Sequence, residues 1–172
     1  MKKEFSRIFF RYIFEFMTAG FIGWIYEVLT VLIMWHYFEN RGMLHMPIVP
    51  IYAVGAFILH IILGEKKRNP LFVFLFSDVI TTIFELGASY FLEFIFHRQF
   101  WTYNAWWGSI LDRSSIISSV VFGMFALIYF YIVHPFSDKI SERLPGSVCT
   151  GLSIVAVMAV LTDLVISVIQ LL

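Results

Sequence analysis

Apolar runs long enough to cross a bilayer recur along this chain, and no other feature narrows its fold so far. A span needs about 20 apolar residues. Within hydrocarbon every backbone N–H and C=O must be satisfied inside the protein, so such a run reads as a helix. The 172 residues are 60% hydrophobic and only 14% charged, far outside soluble usage. The expectation is one all-α domain over residues 1–172, a polytopic transmembrane helical bundle of about five spans. The spans are placed at residues 12–36, 48–63, 71–95, 115–133 and 147–171. The basic N-terminus is followed by an apolar run longer than a signal-peptide core, with no small-residue cleavage pattern, so it is expected to remain as the first span.

Between the first two spans lies Asn40-Arg41-Gly42-Met43-Leu44-His45-Met46-Pro47-Ile48-Val49-Pro50-Ile51-Tyr52. It places a guanidinium, an amide, an imidazole, two prolines and a glycine between apolar segments. Arg41 must be paired or hydrated, and neither proline can donate a backbone hydrogen bond. The expectation is a folded outer-face loop at the mouth of a polar pocket. Residues 97–107, rich in Trp and Tyr, are too polar to cross and suit the headgroup boundary.

Nine basic residues flank the predicted spans on one side: Lys2, Lys3, Arg7 and Arg11, three in the turn 64–70, and Lys139 and Arg143 in the turn 134–146. Arg41, Arg98 and Arg113 fall on the other. The bias puts the N-terminus in the cytoplasm and the Asn40 loop and the aromatic segment on the outer face of the cell membrane. Net charge is zero, so nothing in it argues for a nucleic-acid partner. Ala19 and Gly23, and Ser115, Ser119 and Gly123, repeat small residues at four-residue spacing, which lets helices approach closely.

Glu27, Asp78, Glu85, Glu93 and Asp163 fall within predicted spans. A carboxylate at the bilayer centre costs at least about 2.5 kcal/mol, so each needs a partner or water. Asp78, Glu85, Ser89 and Glu93 form a polar ladder along the third span, and Glu27 reaches a similar depth. Two readings stand for the cluster. Glu27 or Glu85 pairs with Arg41 to fix the loop, or Glu27, Glu85 and Glu93 bind a proton, a cation or a cationic substrate group. Asp163 is expected to be satisfied by a neighbouring hydroxyl or water. The pocket residues are Glu27, Asn40, Arg41, Tyr52, Glu85, Ser89, Glu93, Trp101 and Tyr103, the last two as an aromatic wall or as part of an interfacial belt.

Signatures of catalysis are absent from the sequence: no G-x-x-x-x-G-K-[ST] phosphate loop and no G-x-S-x-G elbow. The five histidines include no i, i+4 pair with a glutamate, and Cys149 is the only cysteine. No metal, cofactor or enzymatic activity is expected.

Gly23-Trp24-Ile25-Tyr26-Glu27, the Asn40-Arg41-Gly42 to Pro50-Ile51-Tyr52 stretch with Gly55, Glu85-Leu86 and Trp101-Thr102-Tyr103 resemble the bacterial type IV ABC-transporter permease family. The resemblance covers residues 15–125. It departs at Met46 and Ala53, where the family has glycine, and at Thr102, where it has aspartate. The family implies an inner-membrane, multi-spanning transport component. With no ATPase motif in the chain, energy would come from a separate ATPase docked on the turns 64–70 and 134–146, or from an ion gradient. Five spans are few for a pathway, so a homo-oligomer or a partner membrane subunit is expected. The alternatives are a non-transporting scaffold, sensor or resistance protein, and a lipid-modifying membrane enzyme.

Overall fold

A computed structural model describes residues 2–64 and 69–171. Five helices account for most of them: α1 Lys2–Trp35, α2 Pro50–Leu63, α3 Pro70–Phe96, α4 Ile116–Arg143 and α5 Gly146–Leu171. All but α2 are long and apolar enough to cross a membrane, in keeping with an all-helical, multi-pass fold. Helix α2 has 14 residues, a rise of about 21 Å against a hydrocarbon core of about 30 Å.

Local chemistry sets the helix ends. Asn69 caps α3 by accepting from Leu71 N at 2.9 Å, with Pro70 in the first turn, where its missing N–H costs nothing. Histidines in the left-handed region stop α1 and α3: His36 (φ 59°) donates its N–H to Leu32 O, and His97 (φ 53°) to Glu93 O. Ser115 and Ser118 form a reciprocal capping box at the start of α4.

Two sequence expectations are revised. Residues 134–143 continue α4 as a helix rather than forming a turn. A π-helical turn, Tyr129–Val133, leads into that extension, and Pro135 lies in the first turn after it. The polar residues that suggested a turn are the hydrophilic end of a long helix. The second revision is a small antiparallel ribbon, β1 Ser109–Ile110 with β2 Ser114–Ser115, between the aromatic segment and α4. Its turn carries Leu111 (φ 53°) and Asp112 (φ 59°), closed by Arg113 N to Ile110 O at 3.1 Å, the backbone of a type I′ hairpin turn. Much of the basic turn 64–70 (residues 65–68) lies outside the described residues.

The chain divides into two compact units, residues 1–54 with 132–172, and residues 55–131. In the first, α1 packs along α5 and against the last ten residues of α4. In the second, α3 packs against the first half of α4. A Cβ on Gly123 would lie 2.8 Å from the Phe74 ring, so glycine is what permits that approach. Leu59, Leu63, Val73 and Ala126 form the apolar core of this unit.

Candidate functional site

In the first unit the polar centre is made by a loop that folds back along its own helix. Residues 36–49 leave the end of α1 and return until Val49 N donates to Gly20 O at 3.0 Å. Gly20 lies 15 residues before Trp35, so the loop retreats about 22 Å along α1. On the way Trp24 Nε1 donates to Asn40 Oδ1 at 2.6 Å, and Asn40 Nδ2 to His45 O at 3.2 Å. Arg41 Nε donates to Glu27 Oε2 at 3.3 Å and its Nη1 to Glu39 Oε2 at 3.2 Å. Tyr52 OH donates to the other Glu27 oxygen at 3.2 Å. Gly23 makes room for that tyrosine, since a Cβ there would lie 2.3 Å from the ring. Glu27, Asn40, Arg41 and Tyr52 are therefore one hydrogen-bonded cluster. Its ion pair is not sealed, with Arg41 33% and Glu27 25% exposed at the side chain.

Asp163 is 9% exposed and does meet the expected neighbouring hydroxyl, that of Ser167, but its shorter contacts are to the loop. Its Oδ2 accepts from Met46 N at 2.8 Å, and its Oδ1 from His45 N at 3.2 Å and from the His45 ring at 2.7 Å, with Ser167 Oγ at 3.5 Å. The carboxylate thus supplies acceptors for two amides of a non-helical segment that lipid could not satisfy. Beside it a cleft of about 560 Å³ is lined by His45, Met46, Met158, Ala159, Thr162, Asp163 and Ile166.

Glu15 belongs with the carboxylates above but was not among those predicted. It is fully buried, with Oε1 2.8 Å from His134 Nδ1 and accepting from Ser137 Oγ at 2.5 Å. Arg11 donates to Asp138 at 2.9 Å and lies 4.0 Å from Glu15. Its position within the first apolar run, four residues after Arg11, was the available signal.

In the second unit the buried face of α3 is polar. Ser77, Thr81, Glu85 and Ser89 recur at four-residue spacing, each 9% exposed or less, with Glu93 the next in the row. The aromatic segment and the ribbon cover its upper end. Tyr103 OH donates to Glu85 Oε1 at 2.8 Å. Arg113 donates to Ser89 Oγ at 2.9 Å, pairs with Glu93 and lies over the Tyr90 ring at 4.0 Å. Burial opposes the Arg113 charge, but Glu93 and Tyr90 outweigh it and raise the guanidinium pKa above its ordinary value. Trp101 Nε1 donates to Arg113 O at 3.0 Å, so this tryptophan positions the arginine's main chain. Thr102 donates to Asp112 Oδ1 at 2.6 Å, and Tyr103 N donates to the same oxygen at 3.0 Å. A carboxylate is thereby kept beside Thr102. Lower on α3, Ser77 Oγ and Asp78 Oδ1 are buried without a hydrogen-bond partner among the described residues. Arg113 was counted only as an outer-face charge in the sequence; its contact with Ser89 and Glu93 depends on the ribbon, which has no strong sequence signature.

The model of a family described as "Putative ABC-transporter type IV" matches residues 14–168. The chain belongs to this family. The match takes in both clusters, from Glu15 to Asp163, and extends past the motif-bearing residues 15–125 into α5. No curated protein and no solved structure matches the chain. Membership in this family, together with four helices of spanning length, makes this a multi-pass membrane protein.

Proposed function

We propose that the chain is the permease, or a substrate-binding membrane component, of a transport system powered by a separate ATPase. The observation that carries this reading is the placement of charge in helices of membrane-crossing length. Glu27 and Arg41 form a part-exposed ion pair, and the buried polar row on α3 runs up to Glu93 and Arg113. Ionisable residues within spans mark substrate and ion pathways and are functional candidates by default. A part-exposed pair can exchange partners with a charged substrate at lower cost than a sealed one.

The substrate-binding groups are Glu27, Asn40, Arg41 and Tyr52 in one cluster, and Glu85, Ser89, Glu93, Trp101 and Tyr103 in the other. The loop supports this assignment. Non-helical backbone at membrane depth is tolerated where it is buried in protein or lines a water-filled cavity, and discontinuous spans of this kind frame binding sites in transporters. A loop that retreats about 22 Å, followed by a helix of about 21 Å, has the length of one interrupted crossing. The N-terminus lies in the cytoplasm of the cell membrane by the basic-residue bias. Docking of the ATPase falls to the turn 64–70 and to the polar end of α4, with a second copy or a partner membrane subunit completing the pathway.

Affinity purification of the tagged protein in mild detergent, with its companions identified by mass spectrometry, tests the reading. A stoichiometric ATPase whose hydrolysis rises in the complex is the expected result. Recovery of the chain alone, or only with itself, overturns the ATPase-powered reading. A non-transporting scaffold is the second reading, favoured by the hydrogen bonds and ion pairs that already engage Glu27 from Arg41 and Tyr52.

A further inference from the structure

The cleft beside His45 has no role in the transport reading, and its chemistry is specific. We propose that it binds the ammonium head of a lipophilic amine, with the alkyl chain lying along α5. Binding of this kind requires neither an ATPase nor transport, so it stands or falls separately from the proposed function.

The dyad fixes the recognition chemistry. An ionised carboxylate only accepts, so the 2.7 Å contact from His45 Nδ1 to Asp163 Oδ1 places the imidazole proton on Nδ1. In the neutral imidazole Nε2 then keeps its lone pair, on a side chain that is 57% exposed. Two further bonds, from His45 N and Met46 N to the same carboxylate, hold the ring's backbone in place. The result is a rigid acceptor backed by a negative charge.

The surroundings fix the rest of the ligand. Asp163 lies eight residues before the end of α5, about 12 Å from it, on a helix of membrane-crossing length. The cleft walls include Met158, Ala159, Thr162 and Ile166, and Met158 and Ile166 are 59% and 45% exposed. The cleft is therefore open along an apolar helix face, and at about 560 Å³ it has the size of a small-molecule site. A bare imidazole acceptor at that depth is costly unless a donor meets it. With a neutral imidazole the pair is net negative and Nε2 only accepts, so an anionic head is repelled and finds no donor there. An ammonium N–H donates to Nε2 and gains the attraction of the carboxylate, which is strong where water is scarce. An alcohol could make the same hydrogen bond but lacks the charge.

Native mass spectrometry of the full-length protein, with dodecylamine as the probe, tests the assignment. Dodecyltrimethylammonium keeps the charge and chain but has no N–H, and dodecanoate reverses the charge. The expected result is one dodecylamine per chain, about ten-fold less of the quaternary probe at the same concentration, and no dodecanoate. H45F should lower dodecylamine occupancy about ten-fold, since it removes Nε2 while keeping both backbone bonds to Asp163. A159F fills the cleft from an exposed position while leaving His45 and Asp163 themselves unchanged, and should do the same, which preserves the test if H45F fails to fold. Equal occupancy by amine and quaternary probe, or an A159F variant that binds like the parent, would overturn the proposal. So would preferential uptake of dodecanoate.

Discussion

The two units hold their intramembrane carboxylates by different means. On α3, Glu85 meets Tyr103 at a separation of 18 residues and Glu93 meets Arg113 at 20, so the polar row is completed by the segment that follows it. In the other unit Glu27 is met locally, by Arg41 and Tyr52 at separations of 14 and 25, but Glu15 meets His134 at a separation of 119 and Asp163 meets His45 at 118. Ordering a loop of roughly 118 residues rather than roughly 20 costs about 1.5 kcal/mol more in closure entropy. The distant carboxylates compensate by number of bonds. Asp163 collects two backbone amides and a ring nitrogen, and Glu15 a ring nitrogen and a hydroxyl. The difference teaches that one unit can be assembled from a continuous stretch, whereas the other exists only when both ends of the chain are in place.

The sharpest way to break that contrast is Asp163→Ala. It strands the amides of His45 and Met46 and frees the loop, at a cost of about 3–5 kcal/mol. Thermal unfolding in detergent should show a large drop, with Asp163→Asn intermediate because it keeps one acceptor oxygen. A midpoint within a degree of the parent would mean the amides are satisfied in some other way. Next comes Gly23→Ala, which drives a methyl into the Tyr52 ring and should cost about 2–3 kcal/mol. Its double mutant with Tyr52→Ala should recover part of the loss, and strict additivity would argue against the contact. In the local unit, Tyr103→Phe removes one hydrogen bond to Glu85, 4% exposed, and should cost about 1.5–2 kcal/mol without affecting the Asp163 contacts. The smallest effect is expected from Arg41→Ala, about 1 kcal/mol, because the pair is part-exposed and Tyr52 keeps its hydrogen bond to Glu27. A loss above about 3 kcal/mol there would show that the pair is sealed and would favour the scaffold reading.

Much of the fold was legible from apolar runs alone, because bilayer length and helical backbone satisfaction leave few alternatives. The grouping of Glu27 with Arg41 was also legible, as a charge within a membrane-crossing helix needs a counter-charge and few were near. The partner of Asp163 was not. Backbone amides carry no residue signature, so nothing in the sequence marked His45 and Met46 as the donors. The end of α4 was hidden for a related reason. Pro135, Asp138, Lys139, Glu142 and Arg143 look like a turn, and only the π turn ahead of them and the Glu15 contact show that the helix continues. The Arg113 contact to Ser89 depended on two left-handed residues, Leu111 and Asp112, of which only the aspartate is a usual occupant of that conformation.

The loop that folds back along α1 also sets a schedule. At a synthesis rate of about 5–20 residues per second, Asp163 follows His45 from the ribosome by roughly 6–24 seconds. Until then the amides of residues 45 and 46 have no carboxylate to meet, although α1 is already complete. Throughout that interval the nascent chain would present an unsatisfied polar segment to the insertion machinery and to membrane proteases. Truncations ending before α5 should therefore be degraded rather than accumulate, and the last helix to be made decides whether the first loop survives.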